Sequence, residues 1–288
     1  MQEIQKLIIS LKDSTSGQSF KSLTPEERIR FLCKSENAKE GTLNLDDGYD
    51  CPICKNKGYT ITPAQVGGYW REMYKSCSCM NVRATIAEFN RSGLGDLAKR
   101  YTLENFEAVE DWQKQVLKAA VNYINDPAGN WFFVGGQTGS GKSHICTAIC
   151  KRLIAKGWGL HYMEWEDEAT RIKAVTNDPV IYPNMIDRLQ NVSVLYVDDL
   201  FKTGRGPDGE PLRPTGADIK LAFKVLNNRY RQPNKLTIIS SELTLSDIAA
   251  IDEAVAGRIA ERSAEGGYCI NLKKDPKKNY RFRNISEL

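Results

Sequence analysis

The sequence predicts an α/β fold, in which a mostly parallel sheet is covered by helices and preceded by a smaller N-terminal module. Beyond about residue 95, short apolar runs alternate with longer stretches of helical periodicity, as strands and crossover helices do in parallel sheets. Before that point the chain is rich in Gly, aromatic residues and paired cysteines, which indicates a separate small unit. We therefore expect two domains, residues 1–94 and 95–288, with the boundary near Gly95.

Length and composition are compatible with this organisation. A chain of 288 residues can form one α/β core and a smaller appendage. No apolar run approaches the roughly 20 residues of a membrane-spanning helix, and the N-terminus lacks the features of a secretory signal. We therefore expect a cytoplasmic protein with no membrane association. The formal net charge of +4 is too small to indicate nucleic-acid binding, because solvated surfaces give similar values.

Five apolar runs are the predicted strands of the sheet. The stretches between the first four are long enough to form crossover helices, so these strands are expected to be parallel. In chain order the runs are residues 131–134, 160–165, 192–197, 236–240 and 268–272.

The residues before the sheet predict short helices and a linker. Apolar residues recur at helical spacing within residues 4–11, and Thr24 followed by Pro25 is typical of an N-cap and a first helical position. Residues 82–90 have a polar helical pattern. The following segment 91–95, Arg-Ser-Gly-Leu-Gly, predicts a linker because Gly and Ser favour irregular backbone.

Residues 136–143 read Gly-Gln-Thr-Gly-Ser-Gly-Lys-Ser and match the phosphate-binding pattern G-x-x-x-x-G-K-[ST]. The segment follows a predicted strand and opens a helical stretch, a context in which backbone N–H groups converge on a phosphate. Lys142 is expected to contact the β- and γ-phosphates of ATP, and the Ser143 hydroxyl to bind Mg²⁺. A Gly-rich turn with a chance Lys-Ser pair is the alternative, which the flanking strand and helix disfavour. The expected nucleotide-binding residues are Gly136, Gln137, Thr138, Gly139, Ser140, Gly141, Lys142, Ser143 and the adjacent His144.

The third apolar run ends in two carboxylates, Asp198 and Asp199. Asp198 is placed to hold Mg²⁺, directly or through water. Asp199 faces the other way along the strand and is expected to orient and deprotonate the attacking water. Solvated acids at a strand end are the better interpretation of such a pair alone. The upstream phosphate-binding pattern favours the catalytic, Walker-B interpretation.

Four of the eight cysteines form two close pairs, Cys51-x-x-Cys54 and Cys77-x-Cys79. Four thiolates fit a closed tetrahedral Zn²⁺ site, which would stabilise a segment too small for its own core. The second pair departs from the common C-x-x-C spacing, so free thiols are the alternative.

Aromatic residues lie between the cysteine pairs and form either a protein-binding surface or a miniature core. They are Tyr59, Tyr69, Trp70 and Tyr74.

Two basic segments are candidates for phosphate-backbone contacts. One is the Gly/Pro-rich stretch that follows the two carboxylates, with Lys202, Arg205 and Arg213. The other is the tail 273–283, in which basic residues alternate with aromatic ones. Solvated surface segments are an alternative for both.

Four segments together resemble the AAA+ replicative helicase loaders of the DnaC/DnaI type, in particular the Gram-positive and phage versions. They are residues 136–143, VLYVDDLF (194–201), TIISSEL (237–243) and VAGRIAER (255–262). The resemblance covers Arg100 to the C-terminus. It implies an AAA+ P-loop core without the C-terminal helical lid of larger AAA+ proteins, and an ATPase that is slow and dependent on assembly.

The resemblance also implies roles for individual residues. Arg258 looks like the box VII arginine, which reaches into the ATP site of a neighbouring subunit and stabilises charge on the γ-phosphate. Arg262, one helical turn later, is the competing candidate, and a surface position is the alternative for either arginine. Where the family commonly has a Ser/Thr-Asn pair as sensor 1, this chain has Ser241 followed by Glu242. Either Ser241 senses the nucleotide, or hydrolysis is slow.

The function that the resemblance implies is ATP-dependent loading of the replicative hexameric DNA helicase onto single-stranded DNA. The N-terminal domain would bind the helicase, and ATP-bound subunits would form a homo-oligomer that holds the DNA. One alternative is an IstB-type transposition helper ATPase, which acts on duplex DNA with a transposase and which the zinc module disfavours. The other is a phage adaptor that binds ATP with little turnover, which Glu242 favours.

Overall fold

The computed structural model describes residues 23–207, 209–210 and 212–282. Its internal contacts divide the chain into two compact units, Met1–Arg83 and Ala84–Leu288. The helix predicted within residues 4–11 lies outside the described residues. The assignment of residues 1–94 and 95–288 to a helicase-binding and an ATPase domain stays a prediction. Within the described residues, no helix is both long and apolar enough to cross a membrane.

The first unit begins with a capped helix. Helix α1 (Pro25–Ala38) starts where the sequence predicts, with Thr24 as N-cap and Pro25 in the first turn. The Thr24 hydroxyl accepts a hydrogen bond from the Glu27 N–H, and the Glu27 carboxylate accepts one from the Thr24 N–H. This reciprocal capping satisfies amides that the first helical turn leaves without partners. A short helix, α2 (Asn44–Asp47), follows.

A β-hairpin forms the rest of this unit. Strands β1 (Tyr59–Val66) and β2 (Tyr69–Ser76) pair antiparallel along their whole length. Gly67 and Gly68 connect them, and both have positive φ angles, as a tight two-residue hairpin turn requires.

The second unit contains a five-stranded sheet in the order β4-β5-β6-β3-β7, and all four pairings are parallel. The strands are β3 (Phe132–Gly136), β4 (Leu160–Glu164), β5 (Val194–Asp198), β6 (Leu236–Ser241) and β7 (Cys269–Leu272). All five predicted strands are confirmed, with ends that differ by at most two residues. Every residue of β3, β5 and β6 is buried, because helices cover the sheet and these strands lie inside it.

Helices flank this sheet, so the predicted α/β class is confirmed. The helix that enters the unit is α3 (Cys79–Phe89), and the others are α4 (Gly95–Arg100), α5 (Asp111–Asn125), α6 (Lys142–Ala155), α7 (Trp165–Ala174), α8 (Ile181–Asn191), α9 (Gly216–Tyr230), α10 (Leu245–Ile251) and α11 (Glu253–Ala264). Two single 3₁₀ turns, Pro276–Lys278 and Tyr280–Phe282, end the described chain.

The linker predicted at residues 91–95 is wrong, because this segment is helical. A π-helical turn (Asn90–Leu94) leads directly into α4, and Leu94 and Gly95 are buried. A Cβ at Gly95 would lie only 2.7 Å from the Asn90 carbonyl oxygen. Glycine here permits the close backbone approach of a wide helical turn, whereas the sequence pattern suggested irregular backbone.

One buried cation joins three elements of the second unit. The Arg229 guanidinium is completely buried and donates to the carbonyls of Leu189 (2.9 Å) and Val192 (2.9 Å) and to the Thr237 hydroxyl (3.0 Å). It thereby satisfies carbonyls at the end of α8 that the helix leaves without partners. Burial lowers the pKa of Arg229 to about 9.

We predict that Arg229→Met lowers the free energy of unfolding by about 3 kcal/mol or more, because several buried carbonyls lose their donor. Chemical denaturation of both proteins measures the difference. Arg231→Met, on an exposed neighbour, is the control and is expected to change stability little. Equal stability of the Arg229 variant and wild type would contradict this role.

Candidate functional site

The candidate site lies where β3 ends and α6 begins. Residues 137–141 connect these elements, and Gly136, Gly139 and Gly141 all have positive φ angles. A Cβ at Gly136 would collide with the Leu272 carbonyl of the adjacent strand β7, so only glycine permits this turn. The loop therefore has the conformation that the phosphate-binding pattern predicts.

Lys142 is folded back onto this loop. Its ammonium donates to the carbonyls of Gly136 (3.0 Å) and Gln137 (2.8 Å). Burial lowers the pKa of Lys142, and the negative charges of Asp199 and Glu242 partly oppose this effect. A buried cation held only by loop carbonyls has lost hydration without a charged partner, which favours an incoming anion such as a phosphate.

Asp198 lies at the end of β5 and is only 8% exposed. Its carboxylate accepts hydrogen bonds from Ser143 (3.2 Å), Tyr162 (3.2 Å), Tyr196 (2.7 Å) and Ser240. The structure thus brings the two predicted Mg²⁺ ligands, Ser143 and Asp198, into direct contact. Their oxygens are of the kind that Mg²⁺ prefers, so the pair fits the metal.

Three of these hydroxyl groups were not identified from the sequence. Tyr196 precedes Asp198 by two residues, so the strand period places both on one face, and this signal was available. Tyr162 and Ser240 belong to the strands on either side of β5, and their proximity to Asp198 depends on the registers that pair Tyr162 with Tyr196 and Val197 with Ile239. No local sequence pattern reveals these strand registers.

Asp199 follows in a left-handed backbone conformation, with φ 56°. Its carboxylate forms an ion pair with Lys202 (2.7 Å), and both side chains line the cleft beside the phosphate-binding loop. Burial disfavours the Lys202 ammonium, but the hydrogen bond to Asp199 and nearby negative charges outweigh it and raise the pKa of Lys202. The carboxylate that was predicted to activate water is therefore held in an ion pair with Lys202 in this conformation.

The two candidate sensor residues occupy different environments. Ser241 is completely buried, and its hydroxyl donates to the Leu200 carbonyl (2.7 Å). Glu242 lines the cleft together with Lys142 and Asp199. Glu242, rather than Ser241, is thus the residue that faces the cleft.

The cleft has a volume of about 330 Å³, and its far wall was not predicted. Tyr101, Asn105 and Phe106 line it, and His144 stacks on Tyr101 with ring centroids 4.7 Å apart. The His144 ring also contacts the Thr102 carbonyl (2.8 Å). These rings offer a flat surface beside the phosphate-binding loop, suited to an aromatic base.

The C-terminal segment also reaches this cleft. The Tyr280 N–H donates to the Gly139 carbonyl (2.9 Å), and the Asp275 N–H donates to the Gln137 side chain (2.8 Å). Tyr280 and Arg281 line the cleft. The sequence suggested nucleic-acid contacts for this basic tail and gave no sign that it packs on the phosphate-binding loop.

The two candidate trans arginines differ in their contacts. Arg262 donates to the carbonyls of Tyr230 (3.1 Å) and Gly129, so its guanidinium is used inside the subunit. Arg258 is bonded to Asn227 (2.7 Å) and lies over the Phe223 ring, 4.7 Å from its centroid. Neither lines the cleft of its own subunit among the described residues.

The loop after Lys202 is closed at its base. The Leu212 N–H donates to the Gly204 carbonyl (2.9 Å), and the Thr203 hydroxyl donates to the Leu212 carbonyl. Arg205 donates to the Gly209 carbonyl (2.6 Å), and Arg213 is exposed. Lys202, which pairs with Asp199, thus directly precedes the closed base of the loop.

The four paired cysteines of the first unit converge. Their sulfur atoms all lie within 4.8 Å of one another, with Cys51–Cys77 at 3.8 Å and Cys54–Cys79 at 3.5 Å. Zn–S bonds of about 2.3 Å in a tetrahedron imply sulfur separations of about 3.8 Å, so the cluster fits Zn²⁺. Burial opposes ionisation of Cys54, but the Gly58 N–H and the neighbouring thiols lower its pKa to about 7.

Residues around the cluster fix its shape. Asn56 accepts from the Cys51 N–H (2.8 Å) and from Arg83 (3.0 Å), and Arg83 pairs with Asp47 (2.6 Å). Such surrounding hydrogen bonds orient the ligands of a metal site.

Known proteins similar to this chain share its second unit. The family model of IstB-like ATP-binding proteins matches residues 82–286. From Bacillus subtilis (strain 168), the uncharacterized protein YqaM is 28% identical over 91% of this chain and 93% of its own length. The phage-like element PBSX protein XkdC of the same strain is 29% identical over 78% of this chain and 83% of its own length. The replicative helicase loader DnaC of Escherichia coli (strain K12) is 29% identical over 39% of this chain and 47% of its own length.

The family model includes the phosphate-binding loop, both carboxylates of β5 and the arginines of α11. The chain belongs to the family of IstB-like ATP-binding proteins, and its second unit is an AAA+ core of the IstB/DnaC type.

Proposed function

We propose that this protein is an ATP-dependent loader of the replicative DNA helicase onto single-stranded DNA. The observation that carries the proposal is a cleft lined by Lys142 and Ser143, with the Ser143 hydroxyl in contact with Asp198, in a chain of the IstB/DnaC type. The similarity to a replicative helicase loader supports the biological role.

In this proposal the cleft binds ATP with Mg²⁺. The amides of residues 137–143 receive the phosphates, and Lys142 exchanges its loop carbonyls for phosphate oxygens. Ser143 and Asp198 hold the metal, which neutralises charge on the β- and γ-phosphates. Tyr101, Phe106 and His144 form the side of the cleft that accommodates the base.

Hydrolysis is expected to be slow in an isolated subunit. Asp199 can polarise the attacking water only after it separates from Lys202. Glu242 adds a negative charge beside the γ-phosphate position, whereas a nucleotide sensor usually offers a neutral donor. Both features favour turnover that depends on assembly or on a partner.

Assembly would complete the site through Arg258. Among the described residues, Arg258 bonds only to the Asn227 side chain and to a carbonyl of its own helix, that of Ala254, and a change of rotamer could exchange these contacts for a neighbour's phosphate. Arg262 instead donates to carbonyls of two other segments of its own subunit. We therefore assign the trans arginine role to Arg258. Subunits assembled in this way would present Lys202, Arg205 and Arg213 to single-stranded DNA.

The first unit would bind the helicase, with Cys51, Cys54, Cys77 and Cys79 holding structural Zn²⁺. Metal binding contributes folding energy to a unit whose core is small. In the alternative, a transposition helper, the same motor would act on duplex DNA with a transposase. Co-purification with a hexameric helicase or with a transposase, each in ATP and in ADP, distinguishes the two functions. Recovery of the transposase alone would refute the loading role.

We predict that Lys142→Ala weakens Mg–ATP binding by about 10- to 100-fold, because a buried cation–phosphate contact is lost. Titration with a fluorescent ATP analogue measures the change. Lys118→Ala, on the exposed side of α5, removes the same charge outside the cleft and is the control. Wild-type affinity in the Lys142 variant would refute the assigned site.

We predict that Arg258→Ala lowers ATP turnover by about 10³-fold while ATP binding persists, because the finger acts in the transition state of a neighbour's site. Mixing Arg258→Ala with Lys142→Ala should restore part of the turnover, since one protein supplies the arginine and the other the nucleotide site. Arg231→Ala, which removes an exposed arginine of the same unit, is the control and should have the ATP turnover of wild type. No recovery in the mixture would argue against a shared site.

We predict one Zn²⁺ per chain and its loss in Cys54→Ser, because a structural site needs all four thiolates. Elemental analysis of the purified proteins measures the metal. Cys33→Ser changes another buried cysteine of the first unit, outside the cluster, and should retain zinc. Absence of zinc from wild type purified without chelators would refute the metal site.

A further inference from the structure

The β1–β2 hairpin has one covered face and one open face. Ile61 lies on the covered face and is 1% exposed. The Asn37 side chain on α1 bonds both the N–H and the carbonyl of Ile61, at 2.9 and 2.7 Å. This contact with α1 holds the hairpin in place, and among the described residues those on its other face are exposed or half-buried.

Residues on the open face, called here the hairpin face, follow from the strand register. Directly paired residues of an antiparallel hairpin share a face, and alternate residues along each strand do so as well. The hairpin face therefore consists of Thr60, Thr62, Ala64 and Val66 on β1 and of Lys75, Met73, Arg71 and Tyr69 opposite them on β2. None of these eight residues is buried.

The apolar groups of this face are unusually exposed. Tyr69 is 71% exposed, Met73 46% and Val66 44%. A ring that is this accessible packs against little of its own chain, so it can stack on an external planar group.

The charge of the face has one sign. Arg71 and Lys75 are its charged members, and no carboxylate shares the face, since Glu72 points to the covered side by strand alternation. Within the described residues, neither Arg71 nor Lys75 forms an ion pair. The two cations therefore remain available to an external anion.

The sequence of β2 combines the exposed apolar groups with the cations. Tyr69, Arg71, Met73 and Lys75 alternate an apolar group with a cation at a spacing of about 7 Å, so the two cations lie about 13 Å apart along the strand. An extended single-stranded nucleic acid presents a similar alternation of planar bases and phosphates. We propose that the hairpin face binds single-stranded nucleic acid, with Tyr69 stacking on a base and Arg71 and Lys75 contacting phosphates.

Two arguments favour this ligand over other macromolecules. Lys is depleted at the core of protein–protein interfaces, whereas Lys75 lies next to Met73 on the hairpin face. Stacking on Tyr69 needs an unstacked base, which a duplex does not offer. The hairpin face shares no residue with the ATP cleft, so we expect it to bind without nucleotide.

The test is the affinity of the full-length, zinc-loaded protein for a fluorescein-labelled oligothymidylate without nucleotide, followed by fluorescence anisotropy. Lys75→Glu should weaken binding by about 10-fold at low salt and lower the slope of log affinity against log salt by about 0.7. Tyr69→Ala should weaken binding by about 5- to 100-fold, and Tyr69→Phe should bind as wild type because the ring is kept. Zinc content of each variant verifies that the unit is folded.

Lys34→Glu is the matched control, since it reverses an exposed charge on α1 outside the hairpin face and should leave affinity unchanged. Equal affinities of wild type, Lys75→Glu and Tyr69→Ala would overturn the inference. Loss of helicase co-purification in these variants with unchanged oligothymidylate affinity would also overturn it and assign the face to a protein. Because Lys142→Ala should bind oligothymidylate normally without nucleotide, failure of the ATP site and failure of the hairpin face are distinguishable.

Discussion

The parallel register of β5, β6 and β3 is the constraint on which the candidate site depends. It pairs Val197 with Ile239 and Gly135 with Ser241, so these strands end at the same edge of the sheet. Asp198 and the phosphate-binding loop meet at this edge, although 55 residues separate Ser143 from Asp198. The carboxyl edge of a parallel sheet is where α/β proteins commonly bind ligands, because loops and helix N-termini converge there.

Three charged groups at this edge are bonded to partners within the subunit. Lys142 is bonded to its own loop, Asp198 to four hydroxyl groups, and Asp199 to Lys202. Each charged group thus has an internal partner that a nucleotide or a neighbouring subunit would have to replace. In the proposed function such exchange would link ATP hydrolysis to assembly, because the energy for breaking the internal contacts must come from new ones.

The first unit depends on a different kind of interaction for its fold. A hairpin and two helices bury few large side chains, and a metal ion bound by the four converging sulfur atoms would contribute the stability that a larger core supplies. Stabilisation by such a metal would leave one face of the hairpin free of packing contacts. Exposed apolar and basic side chains can persist on that face without loss of the fold, which makes it available for recognition.

The sequence by itself determined the α/β class, the five strands, the phosphate-binding loop and the paired cysteines, because each depends on local periodicity or on fixed spacing. It was wrong about the linker, since one glycine can serve either irregular backbone or the wide turn of a π-helix. Only the tertiary structure decided which hydroxyl groups surround Asp198, that Glu242 rather than Ser241 faces the cleft, and that Arg262 is used internally. These contacts join residues far apart in the chain, and strand register and helix packing, which no local pattern encodes, bring them together.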